Sequence, residues 1–314
     1  MIFDRQAPSR RSALKCMAFG GAGTLFMLSG GAFRAIDLAQ AAQGDNSSLA
    51  AGTPLFVQIS DTHIGFNKAA NPDVVGTFGH AIALINALPI APRCIVHTGD
   101  ITHLSRAEEF DTAQQMLTTL RAGEIYTVPG EHDVTDGVGV EYFRRFGGSS
   151  KQKGYYSFDL DGVHFVGLVN VMNFKPGGLG LLGSDQLAWL KDDFASRTAS
   201  TPIVVFAHMP LWSIYEPWGW GTGDAGEAMA LLRRFGSVTV LNGHIHQIVQ
   251  KIEGNITFHT ARSTAYPQPA AGVGPGPGPL TVSAADLPTR LGVTTITHSE
   301  HSLSLSDTTL AQPV

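Results

Sequence analysis

Leu55-Phe56-Val57-Gln58-Ile59-Ser60-Asp61-Thr62-His63 couples a mostly apolar run to a polar Asp-x-His terminus. Six residues are too few for a helix of ordinary length. A continuous apolar run of this size reads as a strand buried on both faces and ending at Asp61. The same unit recurs downstream. Cys94–Thr98 is a second apolar run, ending in Gly99-Asp100, and Glu124–Val128 is a third, ending in Pro129-Gly130-Glu131-His132-Asp133. Val74–Leu88, closed by Pro89 and Pro92, and Ala107–Leu120 read as helices between them. Strand, loop and helix in alternation predict an α/β fold with a largely parallel sheet covered by helices.

The second half keeps the strands and changes their connections. Tyr155–Leu160 and Val163–Val169 flank Asp161-Gly162 and read as a hairpin. Ser184–Ala195 reads as a helix with Ser184 as N-cap, and Gly226–Phe235 reads as another. Ile203–Ala207 leads to His208, and Val238–Leu241 leads to Asn242-Gly243-His244-Ile245-His246. Ile248–Glu253 and Ile256–Thr260 are further β-like runs. Ala270–Leu280 contains Gly-Pro-Gly-Pro-Gly-Pro at 274–279 and cannot be helical. Val293–Thr297 in the tail is expected to add an edge strand. No repeat or linker divides residues 54–314, which are expected to form one domain.

Taken singly, the polar clusters have ordinary explanations. Asp-x-His at a strand end serves as a turn or cap, a lone His208 packs as a structural histidine, and His-x-His shares one strand face. Their succession changes the reading. Five clusters rich in imidazole and carboxylate follow five expected strands, where open α/β sheets place ligands. Oxygen and imidazole donors without cysteine suit Zn, Mn or Fe, and two ions need about three protein ligands each plus a bridging anion.

From Leu55 to His246 the order and spacing of these clusters resemble the calcineurin-like metallophosphoesterase superfamily. The resemblance implies an α/β/β/α sandwich with two mixed sheets and a two-metal site at the C-terminal strand ends. It implies that Asp61, His63 and His246 hold one ion and Asp100 bridges both. His208, His244 and position 131 then hold the other. His132 would be the general acid and Asp133 would orient it. The implied reaction is hydrolysis of a phosphate monoester or diester by a hydroxide formed at the metals. The superfamily usually carries Asn where this chain has Glu131. A carboxylate there lowers the positive charge of the site, so a metal- or phosphate-binding protein with impaired catalysis is the alternative.

Around this set, His97 is expected to pack within its strand, whereas His103, three residues after Asp100, is a candidate outer ligand or phosphate donor. Trp212, Tyr215, Trp218 and Trp220 fall in one glycine-punctuated loop after His208. They are candidates to stack on substrate, with packing of the loop as the competing role. The expected substrate is a phosphorylated small molecule or lipid.

Composition sets the outer bounds. The chain has 314 residues, 43% of them hydrophobic, with 15% charged and a net charge of −5. This is ordinary for a folded protein, and the lack of a long Lys/Arg run gives no sign of a nucleic-acid partner. Only Cys16 and Cys94 are present, so no internal disulfide is expected once the leader is removed. Ser9-Arg10-Arg11-Ser12-Ala13-Leu14-Lys15, an uncharged stretch to Phe33 and Ala39-Gln40-Ala41 resemble a Tat export signal spanning residues 1–41. Residues 42–53 read as a flexible lead-in. The resemblance implies the Tat translocase as a partner and a periplasmic or extracellular destination; an uncleaved membrane anchor is the alternative. Removing residues 1–41 deepens the net charge to −8.

Overall fold

A computed structural model describes residues 24–29, 32–37, 55–147, 153–172, 175, 177–299 and 302–312. The twin-arginine sequence, the cleavage-site residues and the 42–53 lead-in lie outside the described residues. Thr24–Ser29 (β1) and Ala32–Asp37 (β2) form an antiparallel hairpin in a unit separate from the remainder. Among the described residues no helix is long and apolar enough to cross a membrane.

The principal unit is built on two mixed sheets. The first contains β3 (Leu55–Ile59), β4 (Cys94–His97) and β5 (Glu124–Thr127), all parallel, with β12 (Gly292–Ser299) and β13 (Ser302–Thr309) in the order β13-β12-β3-β4-β5. The second has the order β10-β11-β9-β8-β7-β6. Its strands are β6 (Tyr156–Leu160), β7 (Val163–Gly167), β8 (Ile203–Ala207), β9 (Val238–Asn242), β10 (Gln250–Glu253) and β11 (Ile256–Thr260). The β7-β8-β9-β11 centre is parallel and the outer strands β6 and β10 are antiparallel.

Both faces of the central strands are buried, which explains the unbroken apolar runs. In β8, Val204 and Phe206 join Phe56, Val96, Phe165 and Ile296 in the core between the sheets. Ile203, Val205 and Ala207 face the other way, into a core completed by α4 (Ser184–Ala195) and α5 (Ala225–Leu232). In β3, Phe56 points between the sheets and meets Phe165 edge-on at 5.0 Å. Val57 and Ile59 point outward with the buried faces of α1 (Val74–Asn86), α2 (Ala107–Leu117) and α3 (Val140–Phe146). The layers are therefore helix, sheet, sheet, helix.

Two local expectations need correction. The run at 293–297 is not an edge strand. Strand β12 pairs with β3 on one side and β13 on the other, and its Val293 and Ile296 are buried in the cores on opposite faces of the sheet. Ser184 is not the N-cap of α4. Gly183, at φ +82°, occupies that position, and the Asp224 carboxylate accepts the N–H groups of Leu182 and Gly183 at 2.9 and 2.8 Å. The helices α3 and α6 (Leu287–Arg290) and the strand β13 had no clear sequence signal.

Ile296 is fully buried between the sheets. Ile296→Ala is expected to cost about 2–5 kcal/mol, read as a lower urea midpoint at unchanged slope.

Candidate metal centre

Each candidate ligand leaves the carboxyl end of a parallel strand. Asp61 follows β3, Asp100 follows β4, Glu131 follows β5, His208 follows β8 and His244 follows β9. The strand-end loops are tied across both sheets. Asp61 and His63 donate their N–H groups to the carbonyls of Gly99 and Asp100 at 3.0 and 2.9 Å, and Gly243 donates to His208 at 2.9 Å. Gln58 Nε2 crosses from β3 to the Asn242 carbonyl at 3.1 Å, fixing the two sheets directly beneath the site.

The backbone there is strained. Among the described residues, seven that are not glycine have positive φ, and five of them are Asp61, His63, Asp100, His244 and His246. Left-handed backbone is unfavourable for residues with a side chain and clusters at functional sites. Crowding also explains the preceding glycines. A Cβ at Gly99 would lie 2.6 Å from His208 Nδ1, and one at Gly130 would overlap Asp100 Oδ1.

The side chains converge as two triads. In the first, His63 Nε2 and His246 Nε2 are 3.2 Å apart, and His246 Nε2 is 3.3 Å from Asp61 Oδ1. In the second, Glu131 Oε2 is 2.8 Å from His208 Nε2 and Oε1 is 3.0 Å from His244 Nδ1. Asp100 Oδ2 stands between them, 3.5 Å from His63 Nε2 and 3.4 Å from His208 Nε2. Donors each about 2.0–2.2 Å from one ion, at tetrahedral to octahedral angles, stand about 2.8–3.5 Å from one another. The observed separations match. Glu131 Oε2, His208 Nε2 and both ring nitrogens of His244 are buried without a hydrogen bond despite their proximity. Orphaned donors that converge in this way fit a pair of bound cations.

The remaining ring nitrogens are held in place. His208 Nδ1 donates to the Thr98 carbonyl and His246 Nδ1 to the Tyr266 carbonyl, at 2.7 and 2.6 Å. Such bonds aim Nε2 at a metal. Burial, then His132 and His246, holds His63 well below the ordinary histidine range. Burial opposes the charge of Glu131, but His244 and His208 keep its carboxyl well below the usual value. His208 is raised: burial works against its proton, and Asp100 and Glu131 outweigh burial.

His132 lies beside the cluster, with its ring 4.8 Å from that of His63 and its backbone N–H donating to Asp100 Oδ1 at 2.9 Å. Its Nδ1 donates to the His103 carbonyl at 2.7 Å. Asp133 does not orient it. The Asp133 carboxylate accepts from the N–H groups of Ile101, Thr102 and Gly130 and from Thr102 Oγ1, at 2.8 to 3.0 Å. It is a clamp between two ligand loops, buried and beside Asp100, and its pKa is pushed up to about 7 against the pull of those backbone donors.

His103 reaches the site. Its ring stacks on His132 at 4.8 Å, and its Nδ1 is 3.4 Å from His63 Nδ1. His97 is wholly buried against Thr62 Oγ1, as expected for a packed residue. The rings of the tryptophan loop make packing contacts. Trp220 is 1% exposed and belongs to the interior, and Trp212 leans on Phe258 at 4.8 Å. Trp218 packs edge-on to both Tyr215 and Trp220. These contacts match the packing role for the loop. The residue that sequence reading missed is Tyr266, whose hydroxyl is 3.2 Å from His63 Nε2. Its only signal was the turn-rich Tyr-Pro-Gln-Pro at 266–269, which carries no ligand pattern.

A family model for calcineurin-like phosphoesterases matches residues 54–248. The chain is similar to glycerophosphodiester phosphodiesterase GpdQ of Enterobacter lignolyticus, 28% identical over 68% of this chain and 79% of that one. It is also similar to the serine/threonine-protein phosphatase CPPED1 of Danio rerio, 27% identical over 61% of this chain and 70% of that one. In fold it resembles a dimetal phosphatase from Danio rerio, with TM-score 0.64 at 13% identity, covering 82% and 96% of the two chains.

Two outcomes follow. A proton that His208 holds must leave before Nε2 can ligate, and its pKa is raised, so metal uptake is expected to release protons and to begin weakening, as pH falls, already above the ordinary histidine range. Calorimetry of zinc or manganese binding in buffers of different ionisation enthalpy measures this. Asp133→Asn places an amide donor against backbone donors and is expected to destabilise the chain by about 1–3 kcal/mol, read by thermal unfolding.

Proposed function

The chain belongs to the calcineurin-like phosphoesterase family and is a metallophosphoesterase, and from that premise we propose that it cleaves a monoanionic phosphodiester rather than a dianionic monoester. The observation that carries this is the placement of Glu131 against both imidazoles of the second triad. Two divalent ions held by Asp61, Asp100, Glu131 and four neutral imidazoles leave a single net positive charge. An Asn at position 131 would leave two. Coulomb attraction in a buried site scales with that difference, so the loss falls hardest on a doubly charged substrate.

The surroundings agree. Beside Glu131 and His132 opens a cavity of about 430 Å³, lined also by Val134, Thr135, Gly137, Val171 and Met172. Among the described residues its lining offers no Lys or Arg for a further phosphate, which suits an uncharged ester arm. The name of the GpdQ relative, a glycerophosphodiester phosphodiesterase, supports a diester of that class.

Bound divalent ions, which we assign to Zn, Mn or Fe from the donor set, supply water activation near neutral pH and neutralise phosphoryl charge. Asp61, His63 and His246 would hold one, His208, His244 and Glu131 would hold the other, and Asp100 stands where it could serve both. His132 supplies the proton. With Nδ1 fixed on the His103 carbonyl, Nε2 is the nitrogen free to protonate the departing alkoxide. Burial opposes a proton on this ring, but Asp100 and Glu131 raise its pKa, which suits an acid. We also place the activity outside the cytoplasm, on the twin-arginine sequence at residues 9–15.

Hydrolysis of bis-p-nitrophenyl phosphate is expected to exceed that of p-nitrophenyl phosphate in kcat/KM, and Glu131→Asn is expected to shift the ratio toward the monoester. His132→Ala is expected to lower kcat about 10²–10⁴-fold on an alkyl diester and less on a nitrophenyl diester, whose leaving group needs no proton. Two bound metals with no turnover of any ester would instead support a carrier in which the Glu131 carboxylate quenches the site.

A further inference from the structure

Tyr266 enters the cluster from a segment with no metal ligand of its own. Its ring stacks on His63 at 4.8 Å, lies 4.3 Å from Phe66 and 4.7 Å from His246, and is 3% exposed. The main chain fixes it there. Ser263 Oγ accepts the N–H groups of Ala265 and Tyr266, and the Tyr266 carbonyl accepts His246 Nδ1–H at 2.6 Å.

A buried phenol needs a hydrogen-bond partner, and its partner here is His63 Nε2 at 3.2 Å. That nitrogen is also the one facing Asp100 Oδ2 and His246 Nε2. Its single lone pair cannot both ligate an ion and accept from the phenol. Metal binding therefore frees the Tyr266 hydroxyl while its ring stays locked between His63, His246 and Phe66. The hydroxyl proton must then find another acceptor beside the first triad. No residue other than His63 hydrogen-bonds to it among the described residues, and the acceptor that a phosphoesterase brings to that place is a phosphoryl oxygen.

We propose that Tyr266 is a substrate-binding residue whose hydroxyl donates to a non-bridging phosphoryl oxygen at the first metal position. The proposal rests on the phosphoester reading of this site. The hydroxyl supplies a neutral donor where the charge of the site is already lowered by Glu131, so it grips the phosphoryl group without favouring a dianion.

The test compares wild type and Tyr266→Phe, each loaded with zinc, for metal content and for affinity toward inorganic phosphate. Loss of the hydroxyl alone is expected to leave metal content unchanged and to weaken phosphate about 5–30-fold. It is also expected to raise KM for bis-p-nitrophenyl phosphate more than it lowers kcat. Wild-type phosphate affinity in the metal-replete variant would overturn the proposal. So would loss of metal, which would make the phenol part of the metal shell. Failure of the wild type itself to bind zinc and phosphate would fall on the phosphoester reading instead.

Discussion

Three carboxylates, Asp61, Asp100 and Glu131, are drawn into the junction of two sheets, and their ion-pair partners among the described residues are all histidines. Burying negative charge without compensation is costly, and imidazoles offset it only when protonated. Most features of the site answer that constraint. Parallel strands bring their carboxyl ends to one place, glycines let the loops approach, and left-handed backbone turns five donors inward. Gln58 locks the sheets together beneath the ligands. Strain of this kind persists only where the surroundings over-determine it. Bound cations relieve the electrostatic part, so fold and metal binding stabilise each other.

Much of this was legible in the sequence, for a physical reason. Strands buried on both faces are apolar at most positions, so Leu55–Ile59, Cys94–His97 and Ile203–Ala207 stood out as nearly continuous apolar runs. The polar clusters stood out because each followed such a run. What was hidden depended on three-dimensional register. Thr and Ser alternate through β12 and β13, so neither reads as central, although pairing with β3 makes β12 an interior strand. Asp133 adjoins His132 in sequence, but the one-turn 3-10 helix at Glu131–Asp133 points it toward the backbone of Ile101 and Thr102. Tyr266 arrives across about 200 residues of chain separation, with no motif to announce it.

The acid side of the site is arranged with similar economy. One short turn carries a metal-facing carboxylate, an imidazole poised over the cavity and a clamp, in three successive residues. His103 links that turn to the β4 loop twice, through its carbonyl on His132 Nδ1 and through its ring. The tryptophan loop after His208, by contrast, gives its aromatic surface to its own packing. Beside the cluster, Val134, Val171 and Met172 form the apolar part of the cavity wall.

The insertion of β12 between β3 and β13 bears on how the chain is made. Strand β3 carries the first ligands, yet one of its two hydrogen-bonded neighbours is formed by residues some 240 positions later. Pairings of such separation form late, after the loop-closure entropy has been met. While the chain is on the ribosome, the strand leading to Asp61 and His63 presents an open edge. The strand that carries the first ligands gains its second neighbour only once β12 has been made and paired. A chain cut before Gly292 would lack that neighbour and expose the β3 edge as an unpaired row of backbone donors and acceptors.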